Sequence, residues 1–168
     1  MKTLLPVVFI LLSFQCAAAD ELFSLYFVRH AEKDLSDGET HDPPLNECGV
    51  LRAERLVSLF RDIDLQAIYS TDFIRTRSTA GPTAESKKLP VRIYDPYELG
   101  QFVEELRARK QDTLVVGHSQ TTSVLAGNMT GTELEEIDEA EYDRLYLVVV
   151  AENSAKLHLL NQAFECGP

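Results

Sequence analysis

Apolar positions along the chain gather into short runs, separated by stretches in which apolar and charged residues alternate at helical spacing. Residues 22–28, Leu-Phe-Ser-Leu-Tyr-Phe-Val, read as a buried strand that stops at Arg29-His30. Residues 31–45 are polar, contain Gly38 and Pro43-Pro44, and read as a loop. From Asn46, a plausible cap, Val50, Leu51, Val57, Leu59 and Phe60 lie among Glu47, Arg52, Glu54 and Arg55, predicting an amphipathic helix. Residues 65–69 form a second apolar run ending at Ser70-Thr71. A helix is expected from Asp72, as its cap, to about Lys87, with Gly81-Pro82 predicting a kink or a break. Residues 91–94 predict a third strand. Pro96 stands where a helix can begin, and 98–110 carry Leu99, Phe102, Val103 and Leu106 on one face. Leu114-Val115-Val116 predicts a fourth strand ending at Gly117-His118-Ser119, followed by a short helix over 121–128. Strands over 144–150 and 156–160 flank the turn Glu152-Asn153-Ser154, the pattern of a hairpin. Strands alternating with helices imply an α/β fold: a mostly parallel central sheet with helices on both faces.

The first nineteen residues carry a different pattern. Lys2, an apolar run over 4–12 and Ala17-Ala18-Ala19 have the form of a secretory signal peptide, cleaved near Ala19. The expected product is one domain over 20–168, periplasmic or extracellular. The run is too short to span a bilayer, so no stable membrane insertion is expected. Gln15 before Cys16 is not the small residue of a lipoprotein signal, which disfavours lipidation. The domain keeps Cys48 and Cys166, which in an oxidising compartment can pair; their spacing leaves that open. A hydrophobic content of 45% is ordinary for a globular chain. Nothing in the sequence decides the oligomeric state.

Charge narrows the choice of ligand. Lys and Arg number 16 against 27 Asp and Glu, a net charge of −11. Such a body is a poor partner for nucleic acid or anionic lipid over a broad surface. Any anionic ligand must meet a local basic cluster. The segment 132–143 holds seven acids and no bases, and reads as a solvated face or loop.

Open parallel sheets bind ligands at the carboxyl ends of their strands. There the chain places Arg29-His30, Ser70-Thr71 with Arg75 one helical turn further on, and Gly117-His118-Ser119. Two arginines and two histidines thus converge on one rim. Arginine pairs phosphate oxygens in a planar fork, and histidine acts as nucleophile, acid or donor near neutral pH. With no P-loop and no zinc-ligand spacing among the four histidines, the expected chemistry is metal-free and needs no cofactor.

The residues Val28-Arg29-His30-Ala31-Glu32 resemble the signature of the histidine phosphatase superfamily, which has a phosphoglycerate mutase-like fold. Leu45-Asn46-Glu47-Cys48-Gly49, then Ala53, is similar to the family's L-(T/N)-x-x-G segment. Ser70 to Ala80, with Arg75-Thr76 and Thr79-Ala80, resembles its S-x-x-x-R-(T/A)-x-x-T-A segment. Val115-Val116-Gly117-His118-Ser119 resembles its second-histidine motif. The resemblance implies a small phosphorylated substrate and hydrolysis of phosphate monoesters or phosphoramidates through a phosphohistidine. It makes His30 the nucleophile, with Arg29, Arg75 and His118, and Ser119 beside them, holding the phosphoryl oxygens. A proton donor for the leaving group is sought at Glu98 first, then Asp95, then Glu32. Loop 31–45, with His41-Asp42, and segment 95–101 are expected to shape the pocket mouth.

Two other classes compete. Gly117-His118-Ser119-Gln120-Thr121 nearly matches a nucleophile elbow, and Asp138 or Asp143 followed by His158 gives the chain order of a serine hydrolase triad on Ser119. The same fold can also serve as a non-catalytic phospholigand-binding domain. A mutase is disfavoured, because no insertion is large enough to build a lid that excludes water.

Overall fold

The computed structural model describes residues 22–36, 38 and 40–166. The signal-like segment 1–19 lies outside the described residues. The element order is β1 (Phe23–Arg29), α1 (Glu47–Leu59), β2 (Ala67–Ser70), α2 (Ile74–Lys87), β3 (Val91–Ile93), α3 (Leu99–Arg109), β4 (Thr113–Gly117), α4 (Ser119–Thr130), β5 (Arg144–Ala151) and β6 (Ser154–Asn161).

The six strands form one mixed sheet in the order β3-β2-β4-β1-β5-β6. β3, β2, β4 and β1 run parallel, while β5 lies antiparallel to β1 and pairs with β6 as the expected hairpin. Side chains alternate across this sheet. Phe23, Leu25 and Phe27 of β1 pack with Phe102 and Leu106 of α3 and Leu125 and Met129 of α4. Val28, with Ile68, Leu114 and Val116, faces Leu56 of α1 and Ala80 and Ala84 of α2. Helices therefore cover both faces, and each fully buried Leu or Phe contributes about 1.5–3 kcal/mol of apolar burial.

Helix ends show where local signals were overridden. Asn46 caps α1 as expected, its side chain accepting from the Gly49 N–H at 2.8 Å. Asp72 does not cap α2. It pairs with Arg77, and the carboxylate of Asp42, from loop 31–45, takes the Ile74 N–H instead at 2.9 and 3.0 Å. The helix also runs unbroken through Gly81-Pro82. Proline leaves the carbonyl of Ser78 without its helical donor, and Ser78 is exposed, where water can replace it. α4 is longer than expected, spanning Ser119–Thr130.

Cys48 and Cys166 form a disulfide with Cα atoms 5.8 Å apart, tying the C-terminal segment to the first turn of α1. Beside it, Gly49 is held against the chain just after His30. A Cβ at this position would lie 2.4 Å from the Glu32 carbonyl oxygen and 2.9 Å from its nitrogen. Backbone cannot yield as a side chain can. Gly49→Ala is therefore expected to cost roughly 1–3 kcal/mol and to displace residues 30–33. Denaturant unfolding checks this, and an unchanged midpoint would refute it. Among the described residues no helix is long and apolar enough to cross a membrane.

Candidate active site

The strand order brings the two histidines together. β1 and β4 are parallel neighbours with Arg29 opposite Gly117, so the next residues, His30 and His118, leave the sheet side by side. The His30 N–H donates to the Gly117 carbonyl at 2.9 Å, and the two ring centroids lie 5.5 Å apart. The His30 ring is buried, with Nδ1 2.8 Å from the Ala31 carbonyl oxygen. A carbonyl only accepts, so Nδ1 carries the hydrogen and Nε2 keeps a free lone pair.

His118 caps the start of α4. Its N–H donates to Thr121 Oγ1 at 2.8 Å. Arg75 can only donate, so the 3.4 Å contact from its Nη2 assigns an acceptor to Nδ1 of His118. Nε2 then donates to Thr71 Oγ1 at 3.0 Å, and Thr71 passes its own hydrogen to Thr76 at 2.9 Å. Thr71, just after β2, thus orients the second histidine, and Ser70 donates to the Thr71 carbonyl.

Burial, the largest influence, pushes His30 down to about 3, and the cationic groups nearby add to this against the opposing bond to Ala31. Burial followed by Arg75 pushes His118 down to about 4. Both are neutral near pH 7. The unfolded chain binds these protons near 6.5, so below that pH it holds more protons than the folded state. The stabilising effect of the neutral rings is present above about 6.5 and is lost as pH falls towards 3. Between pH 7 and 4, wild type is expected to lose on the order of a few kcal/mol more than a His30→Gln/His118→Gln double variant. Chemical denaturation at stepped pH measures it; parallel profiles would contradict the assignment.

Arg75 stands in the first turn of α2. Its Nη1 donates to Asp42 at 3.2 Å, and its guanidinium lies 4.5 Å from the Phe73 ring centroid. Arg29 is placed differently from expectation. Its Nη1 lies 2.9–3.0 Å from the carbonyls of Asp138, Glu139 and Glu141, its Nη2 donates to Glu139 Oε2 at 2.8 Å, and its guanidinium covers Tyr142 at 4.3 Å. It does not line the cavity.

That cavity has a volume of about 430 Å³. His30, Lys33, Arg75, His118, Ser119 and Glu139 form its polar wall, and Phe73, Pro96, Tyr97, Leu99 and Val124 form an apolar mouth. Segment 95–101 shapes the mouth as expected. Lys33 brings loop 31–45 to the wall, while Asp42 acts through Arg75. None of the three sought proton donors is in the lining. Glu98 is exposed at the start of α3, and Asp95 accepts from the Tyr97 N–H at 2.8 Å. Glu32 is turned towards Arg52, which contacts it at 2.6–3.0 Å.

The carboxylate that does line the cavity is Glu139, and sequence reasoning passed over it. It lies in the acidic segment expected to be solvated. Instead this segment folds over the strand exits and is fastened there by Arg29. Lys33 and Tyr142 were missed with it, and no periodicity or spacing marked any of the three.

The serine hydrolase triad is not assembled. Ser119 Oγ lies 2.8 Å from Glu139 and 3.2 Å from Glu136, and its one hydrogen serves the nearer carboxylate. His158 sits on β6, with β1 and β5 between it and β4. Among the described residues, one group has the proximity of a metal-ligand set, Glu32 with Cys48 and Cys166. Its two sulfurs are bonded to each other.

The α/β sheet thus carries Arg-His at the end of β1, a second arginine after β2 and a second histidine after β4. Residues 25–96 match the model of the histidine phosphatase superfamily (branch 1). The fold is similar to that of the alpha-ribazole phosphatase from Shigella flexneri, with TM-score 0.69 and 16% identity over 83% of this chain and 96% of that one. It is equally similar to the protein histidine phosphatase SixA complexed with tungstate, with TM-score 0.69 and 14% identity over 83% and 97%. The phosphoglycerate mutase from Bacillus anthracis str. Sterne gives 0.64 and 16% over 84% and 93%. A comparison with curated protein sequences finds no match.

Proposed function

We propose that the chain is a phosphatase hydrolysing small phosphate monoesters or phosphoramidates through a phosphohistidine on His30, without a metal or other cofactor. The observation that carries this reading is the Nδ1 contact to Ala31, which leaves Nε2 of a neutral, buried imidazole as the free lone pair beside Arg75 and His118. His30 Nε2 attacks phosphorus in line, forming a P–N bond as the bond to the leaving oxygen or nitrogen breaks. Water then attacks the phosphohistidine and releases phosphate. Dividing one displacement into two is the advantage of covalent catalysis. Arg75 holds phosphoryl oxygens; as its Nη2 turns from His118 Nδ1 to a phosphoryl oxygen, the incoming dianion favours protonation of Nδ1, which then donates to the same group while Nε2 stays on Thr71.

Glu98, Asp95 and Glu32 all lie off the cavity wall, and Glu139, which lines it, is held ionised by Ser119, Arg29 and Lys33; this favours leaving groups that need little help from an acid: phosphoramidates and aryl esters before alkyl esters. The apolar mouth fits an aromatic or aliphatic leaving part. We further propose export. The signal-like start and the Cys48–Cys166 disulfide both suit an oxidising compartment.

A panel of phosphoramidates, aryl phosphates and alkyl phosphates tests the reading, run with wild type and His30→Ala in chelated buffer. The expected order of rates is the one just given, with all activity lost in the variant. Binding of phosphorylated ligands without turnover of any panel member would make the domain a phospholigand binder instead.

A further inference from the structure

Both arginines of the rim already hold a carboxylate, but the two carboxylates are held differently. Asp42, on Arg75, is fastened by the backbone N–H of Ile74. Glu139, on Arg29, is bound only by side chains: Arg29 at 2.8 Å, Ser119 at 2.8 Å and Lys33 at 3.4 Å. Its own side chain is 66% exposed, whereas that of Arg29 is 1% exposed beneath it. The guanidinium stays anchored through Nη1 to three backbone carbonyls whether or not Glu139 remains. Its Nε is buried without a hydrogen-bond partner. Glu139 can therefore rotate outward and leave a fixed, charged donor open to the cavity.

We propose that the Glu139 carboxylate is the resident anion of the phosphoryl site, displaced from Arg29 by an incoming phosphoryl group, and that this competition weakens the hold on every phosphoryl group, inorganic phosphate included. The inference rests on the phosphatase reading above. Burial alone would push this carboxyl up; the Ser119 hydrogen bond and the Arg29 and Lys33 charges outweigh that and hold it ionised. A ligand offering only phosphate oxygens meets the full competition. A phosphate ester or phosphoramidate with an aromatic or aliphatic leaving part gains contact with Phe73 and Tyr97 as well. Those mouth contacts favour substrate over inorganic phosphate, and the carboxylate returning to Arg29 helps expel the product.

The test compares wild type, Glu139→Gln, Glu139→Ala and Glu136→Gln. Inorganic phosphate is used as an inhibitor of 4-nitrophenyl phosphate hydrolysis and titrated directly by calorimetry. Glu136 also touches Ser119, at 3.2 Å, so its variant makes the same charge change off Arg29. Phosphate is expected to bind roughly tenfold more tightly, or better, to both Glu139 variants, with KM falling alongside. Glu136→Gln is expected to change it less than about threefold. A phosphate constant unchanged in both Glu139 variants, or matched by Glu136→Gln, overturns the proposal while leaving the phosphatase reading intact. Should wild type neither bind phosphate nor form a phosphoenzyme, both fail together.

Discussion

His30→Ala is expected to lower kcat/KM by at least about 10⁴-fold on every substrate, because no other side chain in the cavity can take its place as nucleophile. His118 is the nearest imidazole, but its Nδ1 faces Arg75 and its Nε2 is committed to Thr71. The variant is expected to fold. The backbone bond from residue 30 to the Gly117 carbonyl survives, and the sheet neighbours are unaltered. Folding is checked by thermal unfolding, and activity by the release of phosphate from a phosphoramidate. Residual activity within a factor of about 100 of wild type would mean that the phosphoryl group is attacked by water directly, with His30 only orienting it.

Arg75→Lys is the second large effect. Lysine keeps the charge but loses the planar fork that reaches a phosphoryl oxygen, Asp42 and His118 from one group. The expected loss is about 10²–10³-fold in kcat/KM, with kcat falling as well as KM rising, since the charge on the oxygens grows in the transition state. Arg75 also steadies loop 31–45 through Asp42, so a second variant separates the two roles. Asp42→Asn removes the ion pair but keeps an oxygen for the Ile74 N–H, and is expected to cost less than about tenfold. Equal losses in the two variants would mean that Arg75 acts through the loop rather than on the substrate.

Strand alternation and strand ends carried most of what could be read in advance. The apolar runs of β1, β2 and β4 are buried and parallel, and the residues just after them sit on one rim because parallel neighbours in register end together. That logic placed His30, Arg75 and His118 in one cavity. It did not show that Arg29 is covered, since the groups that cover it lie 109 to 112 residues further along the chain. It failed for Glu139 as well, because an acidic stretch looks the same whether it faces water or folds back onto a buried arginine. The cap of α2 was unreadable for a related reason: Asp42 is 32 residues away from Ile74, and Asp72 stood in the obvious place. Glu98 shows the remaining weakness. Its chain neighbours Tyr97 and Leu99 line the cavity, yet Glu98 itself is exposed outside it, and position along the chain cannot tell these apart.

Whether the phosphoryl group passes through His30 is decided by rapid acid-free quenching after mixing with a reactive phosphoryl donor. One equivalent of phosphate is expected on the wild-type protein, stable in alkali, released by acid, mapped to residue 30 and absent from His30→Ala. Turnover with no protein-bound phosphate at any mixing time, or label that persists undiminished in His30→Ala, would contradict passage through His30.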